Sequence, residues 1–149
     1  MVGRSEDDEV RDFCIEVGRT LLMCGLVEKH VKQLSRSLKI SEWLDFKETD
    51  IKFHNAIEKM KKNYGLGDEF VRGLHEFREN RNKFVHEIWD LADSRLSASE
   101  GRREALSFII ALYAIASVLN KLLYPHVIER FRVAGNPPPD WGAKLLSMT

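Results

Sequence analysis

The chain has 149 residues and a mass of 17.2 kDa, enough for one domain whose core needs neither a metal nor disulfides. Its 23 basic and 23 acidic side chains cancel, so no global positive field draws it to a polyanion, and any nucleic-acid contact has to be local or assembled by a dimer. Cys14 and Cys24 do not make a disulfide framework and read as small buried hydrophobes within helical pattern.

The first ten residues, MVGRSEDDEV, are acidic and carry no apolar signal core. With no Asn-x-Ser/Thr sequon in the chain, a cytoplasmic protein is expected. Ser5 with Asp8 loosely resembles a capping box, and Glu6, Asp7, Asp8 and Glu9 suit a helix N-terminus. A first helix is therefore expected from residue 6 to about residue 37. Val10, Phe13, Cys14, Val17, Leu21, Cys24, Val27, Val31 and Leu34 form its apolar stripe, which crosses Gly25 as a tolerated weak point; a break there into two helices is the alternative. Residues 40–47 hold one helical turn's worth of apolar spacing and read as a connector along the bundle edge.

Thr49 can cap a second helix through Asn63, with Phe53, Ala56, Ile57 and Met60 on its apolar face, before Gly65-Leu66-Gly67 ends it. Asp68 is a cap for a third helix over about 69–91, which tolerates Gly73. Ser97 and Glu100 offer a capping box for a fourth helix. Its apolar residues from Leu106 to Leu123 cover more than one face, which implies burial on two sides, in the core or at a subunit interface. The run 106–119 is shorter than the roughly 20 residues needed to span a bilayer, so no membrane partner is expected. Pro125 should kink or restart this helix. With no repeat, no long heptad and no alternating pattern, the expected fold is an all-α bundle of four or five helices in a single domain, residues 1–132, followed by a Pro-containing tail, residues 133–149.

One stretch of the third helix stands apart. Phe70, Leu74, Phe77, Phe84, Ile88 and Leu91 step by fours and threes along one seam, and position 81 of that seam is an arginine. A guanidinium on an apolar seam requires a carboxylate, carbonyl or phosphate to accept its hydrogen bonds. On an ideal helix Asn82 lies about 100° from Arg81, Arg78 about 60° and His86 about 140°, so Asn82 and His86 share a flank and Arg81 has to reach around to it. The set suits transesterification of RNA: an imidazole to move a proton near neutral pH, a planar fork for phosphate oxygens, and an amide to orient either. One histidine does not fill both proton-transfer roles, so two copies pooling theirs across a two-fold axis are required.

Arg81-Asn82-x-x-x-His86 resembles the motif of the HEPN superfamily: an arginine, a polar residue directly after it, and a histidine following four to six intervening residues. The resemblance implies a metal-independent endoribonuclease on an all-α bundle, working as a homodimer on RNA. It also implies antiphage defence, RNA processing or a toxin with a cognate antitoxin or regulatory protein. Arg81, Asn82 and His86 become the catalytic set; Arg78 and Lys83 become substrate-binding candidates. The plainer readings stand beside these. Arg81 forms an ion pair to a neighbouring helix, His86 pairs with Asp90, Arg78 lies on the surface, and Lys83 makes a solvated pair with Glu79. A noncatalytic helical RNA-binding or regulatory module is the alternative function. His30, His54, His75 and His126 lack zinc-site spacing, and neither metal nor cofactor is expected. Lys29, Lys32, Arg36 and Lys39, interleaved with His30, form a modest basic stripe read as solvated surface.

Overall fold

Helical pattern and end signals agree over most of the chain. The computed structural model describes residues 5–36, 51–94, 98–136, 143, 144 and 147, with backbone alone for 88–94. Four helices follow one another: α1 (Glu6–Leu34), α2 (Phe53–Tyr64), α3 (Asp68–Ser94) and α4 (Ser99–Val133), with no strand among the described residues. The protein is a single all-α domain.

The Ser5 hydroxyl opens α1 by accepting the backbone N–H of Asp8 at 3.2 Å, with four acidic residues in the first turn, which offsets the unpaired donors and positive pole there. Gly25 does not break the helix. At the far end Asn63 of α2 donates to the carbonyls of Ser35 at 3.2 Å and Arg36 at 2.9 Å. A side chain from the next helix thus caps the carbonyl end of α1. Gly65, at φ 60°, ends α2 in the left-handed conformation, one that a side chain disfavours. The chain then reverses into α3, with Lys61 bound to Asp68 at 2.9 Å.

Contacts fix the directions. Glu9 meets Arg102, Thr20 meets the Ile109 carbonyl and His30 meets Asn120, so α1 and α4 are parallel. Asn63 at the α1 C-terminus makes α2 parallel to α1, and α3 returns antiparallel to α2, with Phe77 edge-on to Phe53. The core comes from all four: Val27 and Val31 of α1, Ile57 and Met60 of α2, Leu74 and Phe77 of α3, Ile109 and Leu112 of α4. At the parallel α1–α4 contact a polar group is sealed in. The His30 ring is hydrogen-bonded through Nδ1 to Asn120 Oδ1 at 3.1 Å, and Asn120 donates to the Met23 carbonyl at 3.0 Å. Burial pushes the His30 imidazole down to about 4, so it is neutral and its Nδ1–H is the donor.

Several expectations change. Cys14 is exposed and only Cys24 is buried; Val10 and Leu21 of the α1 stripe also face outward. The stripe is wider than the surface that α4 and α2 cover. His30 is not part of a solvated basic stripe but buried at 3 % exposure, because it sits one turn from buried Val27 and Leu34 on the face toward α4. Helix α2 starts at Phe53 rather than after Thr49; Thr49, Asp50, Lys39, Ser97 and the 40–47 connector lie outside the described residues, as do Trp141, Leu145 and Leu146. Pro125 does not restart α4, which runs through it to Val133. Within one chain the bundle covers one side of α4: Ile109, Leu112, Ala116, Asn120 and Leu123 face the core while Ile110, Ile115, Val118 and Leu122 are exposed, which leaves the subunit-interface form of the expectation. By length and composition α4 would also pass as a membrane span; 39 % of its most apolar window is buried in the bundle.

Candidate functional site

Leu74, Phe77 and Phe84 bury the inner face of α3, and Arg81 occupies the same seam. Its guanidinium leaves the seam toward α1. There Nη2 binds Glu28 Oε2, while Nη1 donates to Asn82 Oδ1 at 3.0 Å. Glu28 is held from its other oxygen by Lys32, one turn along α1, at 2.9 Å. Arg81 and Glu28 are 21 % and 23 % exposed, so each has lost most of its hydration and depends on the other. The guanidinium also lies over the Phe53 ring at 5.6 Å, a favourable cation–π arrangement. Burial works against its charge, and the thiol of Cys24, itself pushed up to about 12 by burial, lies close enough to feel the guanidinium.

The partner that the seam arginine requires is thus a carboxylate of the neighbouring helix, the plain ion-pair reading of Arg81. Sequence reasoning did not single out Glu28. Its spacing to Lys32 marks an ordinary i,i+4 pair, and nothing local states that a guanidinium 53 residues away meets the same carboxylate.

The remaining candidates are spread around α3. His86 is exposed, on the flank about 140° from Arg81, so one chain does not bring imidazole and guanidinium together on one face. The side chain of Asp90, its possible partner, lies outside the described residues. Lys83, three residues before His86 and about 60° from it around the helix, is exposed, its ammonium 5.8 Å from the Phe108 ring of α4. Arg78 is partly buried beside Glu79 at 3.8 Å, with its Nε enclosed and without a hydrogen-bond partner among the described residues. Lys83 leans on an aromatic ring rather than pairing with Glu79.

No family model, curated protein or solved structure matches the chain. What the site can do rests on its own chemistry.

A second polar group lies on the α2–α3 hairpin. His75 Nε2 meets Glu58 Oε1 at 2.7 Å, its ring 4.7 Å from that of His54, and the contact holds the Glu58 carboxyl below its usual range. Among the described residues no group of three or more His, Cys, Asp or Glu could hold a metal ion.

Proposed function

We propose that the protein is a metal-independent endoribonuclease of the HEPN type that acts as a homodimer. The observation that carries this reading is the arrangement on α3: Asn82 fixed against Arg81 at 3.0 Å, and an exposed imidazole, His86, one turn beyond Asn82 on the same flank. In the reaction a base takes the proton of a ribose 2′-hydroxyl, the 2′-oxygen bonds to the adjacent phosphorus, and the bond to the 5′-oxygen breaks as that oxygen receives a proton. The products are a 2′,3′-cyclic phosphate and a free 5′-hydroxyl. His86 of one copy serves as base and His86 of the second as acid, exchanging a single net proton. Arg81 supplies charge to the pentacoordinate phosphate once a phosphate oxygen takes the place of the Glu28 carboxylate.

The second reading, a noncatalytic helical RNA-binding or regulatory module, is favoured by one specific fact: the Arg81 fork is already occupied by Glu28 and Asn82. The two are separated by incubating the full chain with RNA in EDTA and analysing the ends. The nuclease reading expects 2′,3′-cyclic phosphate ends and a loss of about 100- to 10,000-fold on His86→Ala. The residue is exposed, so this variant leaves the core intact. No cleavage, cleavage that needs a metal, or activity unchanged in His86→Ala overturns it; RNA retention without cleavage supports the module.

A further inference from the structure

Helix α4 carries no charge from residue 105 to residue 120, although six of those sixteen residues are exposed. Ile110, Ile115, Val118 and Leu122 are 45–58 % exposed, and Ala111 and Ala114 are exposed between them. On an ideal helix these six fall within an arc of about 140°. Their order is graded. Down the middle of the arc, Ser107 and Ala111 are small in the N-terminal half, Ala114 sits near the centre, and Val118 with Leu122 is large in the C-terminal half.

We infer that this face is the docking surface for a second copy of the chain, packed antiparallel on the first. Antiparallel pairing about a two-fold centred near Ala114 sets Val118 of each copy over Ala111 of the other, Leu122 over Ser107 and Ile115 over Ala114, so these three large side chains each meet a small one and the two backbones approach closely, while Ile110 lies at the edge of the arc. A partner of different sequence has no reason to match this gradient; the same helix reversed matches it along the middle of the face. With Ile15 of α1, which borders Ile110 in one cleft, the exposed apolar surface is on the order of 600 Å² per copy. A symmetric pair that covered the whole patch would remove about 1,200 Å², against the ~1,000 Å² that a specific interface needs. Patches of this size are at the upper end of what a monomer leaves exposed. The inference is independent of the ribonuclease reading, which requires two copies but not this face. The two are nonetheless compatible: an antiparallel two-fold sets like flanks side by side, so each α3, which borders α4 where Lys83 meets Phe108, lies on the same side of the pair.

The test is the mass of the full chain in solution by light scattering and sedimentation, at concentrations up to about 100 µM. Twice the chain mass of 17.2 kDa is expected, with Val118→Glu weakening self-association by roughly 100-fold or more while the helical circular dichroism is retained. Ala111→Leu, which fills the space reserved for Val118 of the other copy, also weakens it without adding charge. A monomeric wild-type chain, or a dimer indifferent to both changes, overturns the proposal. So does a chain that stays monomeric and floats with phosphatidylcholine–phosphatidylglycerol vesicles, more strongly as Ala111→Leu, since added apolar volume favours a lipid surface and opposes close helix packing. RNA cleavage that fails while the dimer stands touches the nuclease reading alone.

Discussion

Arg81 and Glu28 form a mutual dependence, and the cost of separating them is asymmetric. Removing either leaves the other desolvated and unpaired, whereas replacing both with apolar groups of similar volume removes the demand altogether. Arg81→Met and Glu28→Gln alone are each expected to lower stability by about 1–3 kcal/mol, a fall in Tm of several degrees, with the double variant recovering part of the loss. Additive losses in chemical denaturation would show that the two do not act as a pair. This also separates the chemistry of Arg81 from its architecture. An inactive Arg81→Ala enzyme says little by itself because the helix seam is disturbed, and exposed His86 is the cleaner probe of catalysis. The need for a partner at Arg81 was legible in the sequence, since an arginine among Leu74, Phe77 and Phe84 is costly unless satisfied. Which carboxylate answers it was not, because the contact joins helices that no local spacing relates.

At the scale of helices, Pro125 is the point of greatest local conflict. It supplies no N–H to the carbonyl of Lys121, yet α4 continues for eight residues beyond it to Val133. Val127, buried at 2 %, and the packing around it hold the second part in line. Pro125→Ala is expected to raise stability by about 1–3 kcal/mol, because the exposed site accepts a side chain and the missing bond is restored; an unchanged denaturation midpoint would contradict this. The apolar periods of Phe13 to Leu34, Phe53 to Met60 and Leu74 to Phe84 made the helices readable, as did Ser5 and the glycine-bounded turn at 65–67. The uncovered faces were not readable. A period states that a face is apolar, not that a neighbour lies over it, and so Leu21, Ile110 and Val118 resembled core positions until the arrangement of helices was known. Pro125 misled for a related reason: local propensity allowed a restart, and the helix continues through it.

At the scale of the whole molecule, the neutral histidine between α1 and α4 links the fold to pH. In the unfolded chain His30 titrates near the ordinary 6.5 of an imidazole, while burial in the fold pushes it down to about 4. Between those values the unfolded state binds the extra proton, so stability falls as pH is lowered through this window and the loss is complete below it, on the order of 3 kcal/mol. Urea denaturation from about pH 7 to about pH 5.5 is expected to show the upper part of this slope, above the range where most carboxylates titrate, and His30→Gln is expected to flatten it; an equal slope in both proteins would assign the effect elsewhere. The same pairing sets the order in which the chain can become stable. His30 and Asn120 are 90 residues apart, and Met23 and Asn120 are 97 apart, distances that are long for a helical protein and slow the search for the native arrangement. A chain emerging from the ribosome has made all of α1, α2 and α3 before α4 appears, so α1 waits with its apolar faces uncovered through most of synthesis. That interval is when this protein is most prone to aggregate or to be captured by a chaperone, and completing the last helix brings it to an end.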